Sequence, residues 1–561
     1  MSDQLARLRR VSQLVFLAAF LALFAVAAYR RGSAAPVDLF LRADPLVALS
    51  TMLSLRRVVL PLLWFSLPVV VLSLLLGRVY CGWICPMGTA LDVCERAFHL
   101  RGRRPAQAPG WRRLKFYLLI ALLVTMLLPV AHSGAGELGL RDSVGLSAAY
   151  LLDPIAVLTR TVTWSAFPAV QWLTSSTNQT LTGYYYSDYV AKHPFWETVL
   201  RPFQREEATV TRPVYFRLGL PSLLMFAGLV SLGRGASRFW CRNLCPLGAL
   251  LGFLGKKAPV RLAVSGECNR CLRCVNECKV GAITEDPTVY RGAECIACYS
   301  CLRVCPKGAI SLTVGYADSR DDAVRLDRRR VLGAAGIGIA AAVLPKVDWA
   351  TKTSSGRERV LKISSDRLIR PPGAQSEEAF VSGCVRCGEC MAVCPTNTLQ
   401  PALGEGGLEA IGTPIIVPRI GPCTQECNAC GNVCPARVIA PFAVTEKSYL
   451  YLGTARVDRS TCIAWAQGKQ CVVCDEVCSY DAIAPDIDNG VGRPVVNQSI
   501  CVGCGQCEFV CPVEPRGAIR ISGAGDRRHQ TRAEQRAHWE TAKATRDQGE
   551  QETVGGSPYP G

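Results

Sequence analysis

The chain has 561 residues, 49% of them hydrophobic, with a mean hydropathy of +0.19, a formal net charge of +18 and 29 cysteines. That hydrophobic share is high for a soluble protein and low for a pure transporter, so the composition excludes both extremes and points to several domains, some in a membrane and some in water. The charge does not point to nucleic acid, because the arginines cluster beside apolar runs and no recognition motif with interleaved aromatics occurs.

Apolar stretches long enough to cross a bilayer run over residues 11–29, 58–76, 114–131 and 215–233 and predict a four-helix membrane module within residues 1–260. Basic residues precede the first stretch and no small-residue cleavage site follows it, so it reads as a retained helix rather than a signal peptide. The loop between the second and third stretches carries Arg78, Arg96, Arg101, Arg103, Arg104, Arg112, Arg113 and Lys115, which predicts a cytoplasmic loop and a cytoplasmic N-terminus. Arg30, Arg31, Arg56 and Arg57 oppose that orientation from a less basic loop. The outer loop between Ala131 and Arg212 holds Tyr184, Tyr185, Tyr186 and Tyr189, which suit an interfacial belt or docking face, or simply an amphipathic loop.

Two phrases repeat after the second and fourth stretches: Tyr80-Cys-Gly-Trp-Ile-Cys-Pro-Met-Gly88 and Trp240-Cys-Arg-Asn-Leu-Cys-Pro-Leu-Gly248. Cys81 with Cys85, and Cys241 with Cys245, are spaced to share one face of a helix, and the two pairs together would offer four thiolates. A seventh cluster, another metal or a redox-active dithiol suits them, against the alternative of reduced thiols packed at helix ends. Cys94 has no partner by spacing and reads as a buried bystander.

Residues 261–315 follow with two copies of C-x2-C-x2-C-x3-C, Cys268/Cys271/Cys274/Cys278 and Cys295/Cys298/Cys301/Cys305. Three thiolates on one short loop hold three corners of a cubane iron-sulfur cluster, while the fourth reaches a neighbouring cluster. A helical module with two C-x3-C-P phrases leading into this ferredoxin repeat resembles the NapH membrane subunits of periplasmic nitrate reductase systems, with related modules in NosR and MauN. The resemblance covers residues 1–315 and departs from NosR in offering no covalent flavin domain. It implies that Cys305 completes the cluster of Cys268/Cys271/Cys274, and Cys278 that of Cys295/Cys298/Cys301.

Residues 316–365 contain Asp-Arg-Arg-Arg-Val-Leu-Gly333 and then the uncharged run Ala334 to Leu344, which resembles an internal twin-arginine signal. The run predicts a fifth, short membrane passage over 331–345, with a cytoplasmic linker helix as the alternative. Its glycines lack the preceding strand and the spacing of a nucleotide loop.

Residues 366–522 carry four more groups: Cys384/Cys387/Cys390/Cys394, Cys423/Cys427/Cys430/Cys434, Cys462/Cys471/Cys474/Cys478 and Cys501/Cys504/Cys507/Cys511. In all, 24 of the 29 cysteines fall into six groups, and six [4Fe–4S] clusters are expected, with a seventh open. Structural zinc and disulfides are the alternatives, but zinc takes isolated pairs rather than triplets with a fourth partner. The Arg370-Pro-Pro-Gly-Ala lead-in and the C-x8-C gap from Cys462 to Cys471 resemble the NapG and MauM ferredoxins. That resemblance implies nested pairing, with Cys384/Cys387/Cys390 taking Cys511, Cys501/Cys504/Cys507 taking Cys394, Cys423/Cys427/Cys430 taking Cys478, and Cys462/Cys471/Cys474 taking Cys434. Residues 523–561 are polar and charged and read as a tail or loose helix.

The predicted fold is thus multidomain: an α-helical membrane module of four helices plus a fifth short span, joined to α+β bacterial-type ferredoxin domains. None of His99, His132, His193, His529 or His538 lies well inside a predicted span, and no flavin or nicotinamide fingerprint occurs, so neither haem nor flavin is expected. By resemblance, NapH-like and NapG-like parts are fused in one chain of a bacterial inner membrane. The N-terminus and first ferredoxin domain are expected in the cytoplasm and the second ferredoxin domain in the periplasm. The chain would relay electrons from the quinol pool to a periplasmic redox partner protein. An accessory or maturation redox factor of the MauM and MauN kind, and a ferredoxin-driven transmembrane conduit, are the alternatives. No residue is identifiable from sequence as the acceptor of quinol protons.

Overall fold

Four Xaa-Pro steps decide where helices begin. Proline disfavours helical backbone in the residue before it and suits the first helical turn, so Asp44, Cys85, Asp153 and Cys245 each stand just outside the helices that start at Pro45, Pro86, Pro154 and Pro246. The two aspartates also cap: Asp44 Oδ1 accepts from the Leu46 N–H at 2.7 Å, and Asp153 Oδ1 from the Ala156 N–H at 2.7 Å.

The computed structural model describes residues 2–29, 37–99, 109–127, 152–173, 214–314 except 285 and 288, 326–343, and 368–554 except 489 and 529. Arg30, Arg31, His132, His193, His529 and the tyrosines at 184–186 and 189 lie outside these. The chain forms two units, one of residues 1–29, 35–347 and 382–387, the other of 30–34, 348–381 and 388–561.

The first unit gathers helices Ser2–Tyr29, Pro45–Leu55, Leu60–Leu76, Pro109–Leu127, Pro154–Thr161, Gly219–Ser231 and Arg328–Val343. Helices occupy all five predicted stretches, but among the described residues only Gln4–Ala27 is both long and apolar enough to cross a membrane. Leu60–Leu76 and Gly219–Arg234 are apolar and shorter. Pro45–Leu55 and Pro154–Thr161 have no counterpart among the predicted stretches.

In this unit small hydroxyl residues lie inside among apolar side chains, and many apolar side chains are exposed. Ser50, Thr51, Ser54, Ser66, Ser73, Thr159, Thr161 and Ser222 are buried, whereas Leu60, Trp64, Leu67, Leu75, Leu220 and Leu224 are exposed. Several buried hydroxyls return to carbonyls one turn back, Ser73 to Val69 at 2.8 Å and Thr159 to Ile155 at 2.9 Å, which satisfies these donors within their own helices. The Arg328–Val343 helix lies on Pro109–Leu127. The Asp327 N–H donates to the Tyr117 hydroxyl at 3.1 Å, and Gly338 sits so close to the Ala121 carbonyl that a Cβ would overlap it. A small residue is what allows backbones this near.

The same unit carries the first ferredoxin fold, where β1 (Val260–Val264) pairs antiparallel with β2 (Ile310–Val314) and the one-turn helices Arg273–Glu277 and Ser300–Val304 lie between.

The second unit holds three antiparallel strand pairs. β3 (Leu399–Pro401) meets β4 (Pro414–Ile416), β5 (Thr454–Val457) meets β8 (Ile519–Ser522), and β6 (Ile483–Asp488) meets β7 (Val491–Val496). Arg370 explains its Arg-Pro-Pro-Gly lead-in: buried against the Phe380 ring, it donates to Glu377, to Thr413 Oγ1 at 2.8 Å and to the Pro414 carbonyl at 2.9 Å, tying the entering chain to β4. The polar C-terminus contains a long helix, Arg532–Val554, and this helix is anchored. Arg532 pairs with Glu446 at 3.0 Å, Tyr451 and His538 share a 3.1 Å hydrogen bond, and Gln535 is buried.

Candidate functional site

Cys81 lies in the short helix Val79–Trp83 and Cys241 in Phe239–Asn243, while Cys85 and Cys245 are extended residues opening the next helices. The expectation that each pair shares one helix face is therefore corrected: Pro86 and Pro246 start new helices between the two cysteines' environments. The two phrases nevertheless converge. All four thiols are buried and sit within electrostatic reach of one another. Among the described residues no three Cys, His, Asp or Glu side chains converge closely enough for one metal ion, so the quartet is not preformed as a single-ion site.

Two arginines cross between the repeats. Arg78 donates to the Cys241 carbonyl at 3.3 Å, and Arg238 to the Cys81 carbonyl at 3.1 Å. Each lies over the glycine of a phrase: a side chain at Gly248 would displace the Arg78 guanidinium, and Arg238 lies at van der Waals distance from Gly88. Both are buried and ion-paired. Arg78 meets Glu294 at 3.2 Å, and Arg238 forks onto Asp92 at 3.0 and 2.8 Å while its N–H donates to Glu95. Glu294 also takes Lys115, and Asp92 also takes Lys279 at 2.9 Å. Burial alone would raise the Asp92 carboxyl, but Arg238 and Lys279 hold it well below the usual carboxylate range.

Reading the basic loop as a topology signal missed this. Arg78, Arg112 and Lys115 are spent on ion pairs and hydrogen bonds within the unit. The visible signal was Arg-x2-Cys, which stands at Arg78 and recurs at Arg238.

Burial pushes the Cys241 thiol up to about 11 and raises Cys85 and Cys245 further. Burial thus favours the protonated form of these three thiols, and binding iron through them must expel protons. Arg78 and Arg238 supply the positive charge that offsets four thiolates, and the Gly248 N–H donates to Cys245 Sγ at 3.2 Å. These residues fit an anionic cluster.

The Cys295 loop packs directly on the quartet. Gly82 admits the Ile296 carbonyl where any side chain would clash, the Trp83 indole donates to the Ala297 carbonyl at 2.9 Å, and Arg9 reaches the Cys298 carbonyl. Cys278 is the electrostatic neighbour of Cys295, Cys298 and Cys301, in agreement with the pairing implied by resemblance. Cys268, Cys271, Cys274 and Cys305 line one cavity together with Val264, Leu272, Pro287 and Ile310. Cys271 is exposed.

A common turn shapes the four full motifs. The second residue after the first cysteine and the residue after the second cysteine adopt left-handed backbone: Arg270 and Leu272, Ala297 and Tyr299, Arg386 and Gly388, Gly503 and Gly505. Such turns aim successive N–H groups inward as an anion-binding nest. N–H donors reach Cys278 Sγ at 3.1 Å, Cys295 at 3.3 Å, Cys501 at 3.3 Å and Cys511 at 3.2 Å, the contacts that tune a cluster's potential.

In the second unit the nested pairing is overturned. Cys394 neighbours Cys423, Cys427 and Cys430; Cys478 neighbours Cys501, Cys504 and Cys507; and Cys511 neighbours Cys474, itself beside Cys462 and Cys471. Adjacent motifs pair because short connections hold them: Thr396 Oγ1 donates to the Pro422 carbonyl at 2.6 Å, and Gly421 packs against the Thr396 carbonyl. Cys390 lies on a one-turn helix that packs on Ala429–Asn432, the helix before Cys434, whereas Cys384 and Cys387 fall in the first unit. The Cys423 N–H donates to the Cys504 carbonyl at 2.9 Å, which brings two of the groups side by side. Among the described residues no disulfide is formed, and Cys94 is half-buried rather than buried.

Within the first unit, Asp44 and Asp153 are fully buried and hydrogen-bonded to each other, and both lie within electrostatic reach of Tyr80. Asp-Pro at 44–45 and 153–154 is a second internal repeat, overlooked beside the more conspicuous cysteines.

A family model described as "4Fe-4S binding domain" matches residues 58–106 and 218–264, which contain the two C-x3-C-P phrases, and a second of the same description matches 494–516. The ferredoxin-type protein NapG of Escherichia coli is 36% identical over 183 residues, 31% of this chain and 78% of that protein. The methylamine utilization ferredoxin-type protein MauM of Paracoccus denitrificans is 37% identical over 163 residues, 28% of this chain and 71% of that one. The ferredoxin-type protein NapF of Escherichia coli is 31% identical over 148 residues, 26% of this chain and 80% of NapF. No solved structure matches.

Proposed function

The chain belongs to the ferredoxin-type iron-sulfur proteins of the NapG and MauM family, and from that premise we propose that it is a membrane-bound relay passing electrons from quinol, through [4Fe–4S] clusters, to a periplasmic redox protein. The observation that carries this reading is the buried cysteine quartet at the junction of an apolar-faced helical unit and a ferredoxin fold. The exposed apolar side chains, with small polar ones packed between helices, support helices facing lipid. Seven clusters would be held by the 24 motif cysteines and by Cys81, Cys85, Cys241 and Cys245, and the chemistry they supply is one-electron transfer.

Orientation belongs to the same proposal. The N-terminal end of Pro109–Leu127 meets the ferredoxin fold through Arg112 and Lys115. The arginine-bearing start of Arg328–Val343 meets Tyr117 near that end, and Gly338 packs farther along. The two helices therefore run in the same direction, which supports a chain that passes from the cytoplasmic to the periplasmic face after Arg330. A phosphatase–galactosidase dual reporter fused after residue 365 is expected to score periplasmic. A cytoplasmic score ends the transmembrane reading and leaves the clusters untouched.

A second reading has its own observation. The exposed Cys271 and the direct seating of the Cys295 loop on the quartet suit entry from a cytoplasmic ferredoxin. Anaerobic mixing with menadiol or with reduced ferredoxin separates the two readings. Cluster bleaching by menadiol is expected. Clusters that stay oxidised with menadiol and bleach with ferredoxin overturn the quinol reading in favour of the conduit.

A further inference from the structure

We propose that Asp44 and Asp153 form the site that accepts the quinol's protons, an inference that rests on the quinol reading above. The two carboxyls cap the helices Pro45–Leu55 and Pro154–Thr161, so two short helices from opposite halves of the unit begin at one point. Each Oδ1 is committed to the cap. Asp44 Oδ1 accepts from Leu46 and, at 3.4 Å, from Val47, and Asp153 Oδ1 accepts from Ala156. Each Oδ2 is enclosed and receives no donor N–H, while the two side chains hydrogen-bond each other.

Tyr80 is an independent sign that a ligand belongs here. Its side chain is 1% exposed, its hydroxyl has no partner, and it lies within electrostatic reach of Asp44, Asp153 and Cys85. A buried phenol and two buried carboxylate oxygens left unsatisfied together are costly unless a polar guest completes them. Charged or titratable groups beside the pair include Arg160, two turns into the helix that Asp153 caps and itself near Arg386 and Cys387, and the thiol of Cys85, with Cys81 beside Tyr80. Arg42 is engaged by Asp38 at 2.6 Å.

Charge balance then defines the resting state. Arg160 alone cannot balance two buried carboxylates, so one proton is shared within the pair. The pair holds one proton and has room for one more. A planar diol with an acidic hydroxyl beside the quartet suits this acceptor better than a metal cation, which Arg160 would repel. On oxidation, one quinol O–H bond breaks: the proton joins the carboxylate, leaving two neutral carboxyls, and a cluster held by Cys81, Cys85, Cys241 and Cys245 would take up the electron. Release of that proton to water resets the pair, and the second hydroxyl repeats the step. Each turnover converts quinol to quinone with two electrons and two protons.

The test uses the full cluster-loaded chain in nanodiscs, with Asp44→Asn, Asp153→Asn and the control Asp38→Asn. Asparagine caps helices as well as aspartate, so the folds should persist, which unchanged iron content and unchanged dithionite reduction verify. Menadiol-driven bleaching is expected to slow at least about 100-fold in the first two variants, the effect of losing a positioned base, and to stay at the wild-type rate in Asp38→Asn. The wild type is also expected to show the infrared carbonyl band of a buried protonated carboxyl at neutral pH, lost in either variant of the pair. If the wild type bleaches with menadiol and both pair variants keep pace, or if Asp38→Asn slows equally, the inference is overturned while the quinol reading stands. If the wild type does not bleach with menadiol, the quinol reading falls and takes the inference with it. Absence of the infrared band overturns the shared proton directly.

Discussion

Replacing Cys245 by serine is expected to lower bound iron from about 28 to about 24 atoms per chain, since seven cubanes carry four irons each and only one is held by the C-x3-C-P phrases. Quinol-driven reduction of the remaining six clusters should disappear, whereas dithionite should still bleach them. The selectivity follows from position. Cys245 opens the Pro246–Leu254 helix, is buried, and receives the Gly248 N–H, so its sulfur faces the quartet and no other group. A serine hydroxyl in that buried place has neither the softness for iron nor an acidity that two arginines can exploit. Cys94→Ser is the control, because Cys94 belongs to none of the groups and should leave iron content and rates unchanged. Iron analysis with anaerobic optical titration reads both results. Equal iron in Cys245→Ser and wild type would remove the seventh cluster and leave the quartet a dithiol site.

The same quartet shows which parts of the molecule were legible in sequence and which were not. The cysteines were visible because cluster geometry fixes their spacing along the chain, and the left-handed turns at Arg270, Leu272, Ala297 and Tyr299 are what that spacing encodes. Which fourth cysteine closes which triplet is a tertiary matter. In the second unit it is decided by contacts such as Thr396 with Pro422, which no spacing announces, and nesting inferred by resemblance gave way to pairing of adjacent motifs. Arg78 and Lys115 have a second role that was hidden for a related reason. A basic residue beside an apolar run counts as a topology signal until its acidic partner is known, and Glu294 lies 216 residues from Arg78 and 179 from Lys115. The short helices Pro45–Leu55 and Pro154–Thr161 escaped notice because neither reaches spanning length, although their matching Asp-Pro starts were in plain view.

The network around Asp92 leads to the largest expected stability effect. Asp92 accepts both arms of Arg238, the ammonium of Lys279 at 2.9 Å, and Arg9 at 3.5 Å, with only 4% of its side chain exposed. Asp92→Asn keeps the shape and removes the charge, leaving three cations crowded around a neutral amide. Breaking a buried pair from one side costs about 3–5 kcal/mol, so the variant should unfold at clearly lower temperature in detergent. Because Lys279 lies in the ferredoxin fold and Arg238 touches the Cys81 carbonyl, the loss should also loosen the quartet and make its iron the first to be chelated. The pH dependence has a definite sign. Asp92 is held well below its unfolded value of about 4, so its contribution is fully present above that pH and declines as pH falls beneath it. Wild type should therefore lose stability on acidification below about pH 4 more steeply than Asp92→Asn, which has no proton to take up at this site. Parallel acid profiles, or an unchanged melting temperature at neutral pH, would mean that Arg238 and Lys279 find other partners and that the quartet does not depend on Asp92.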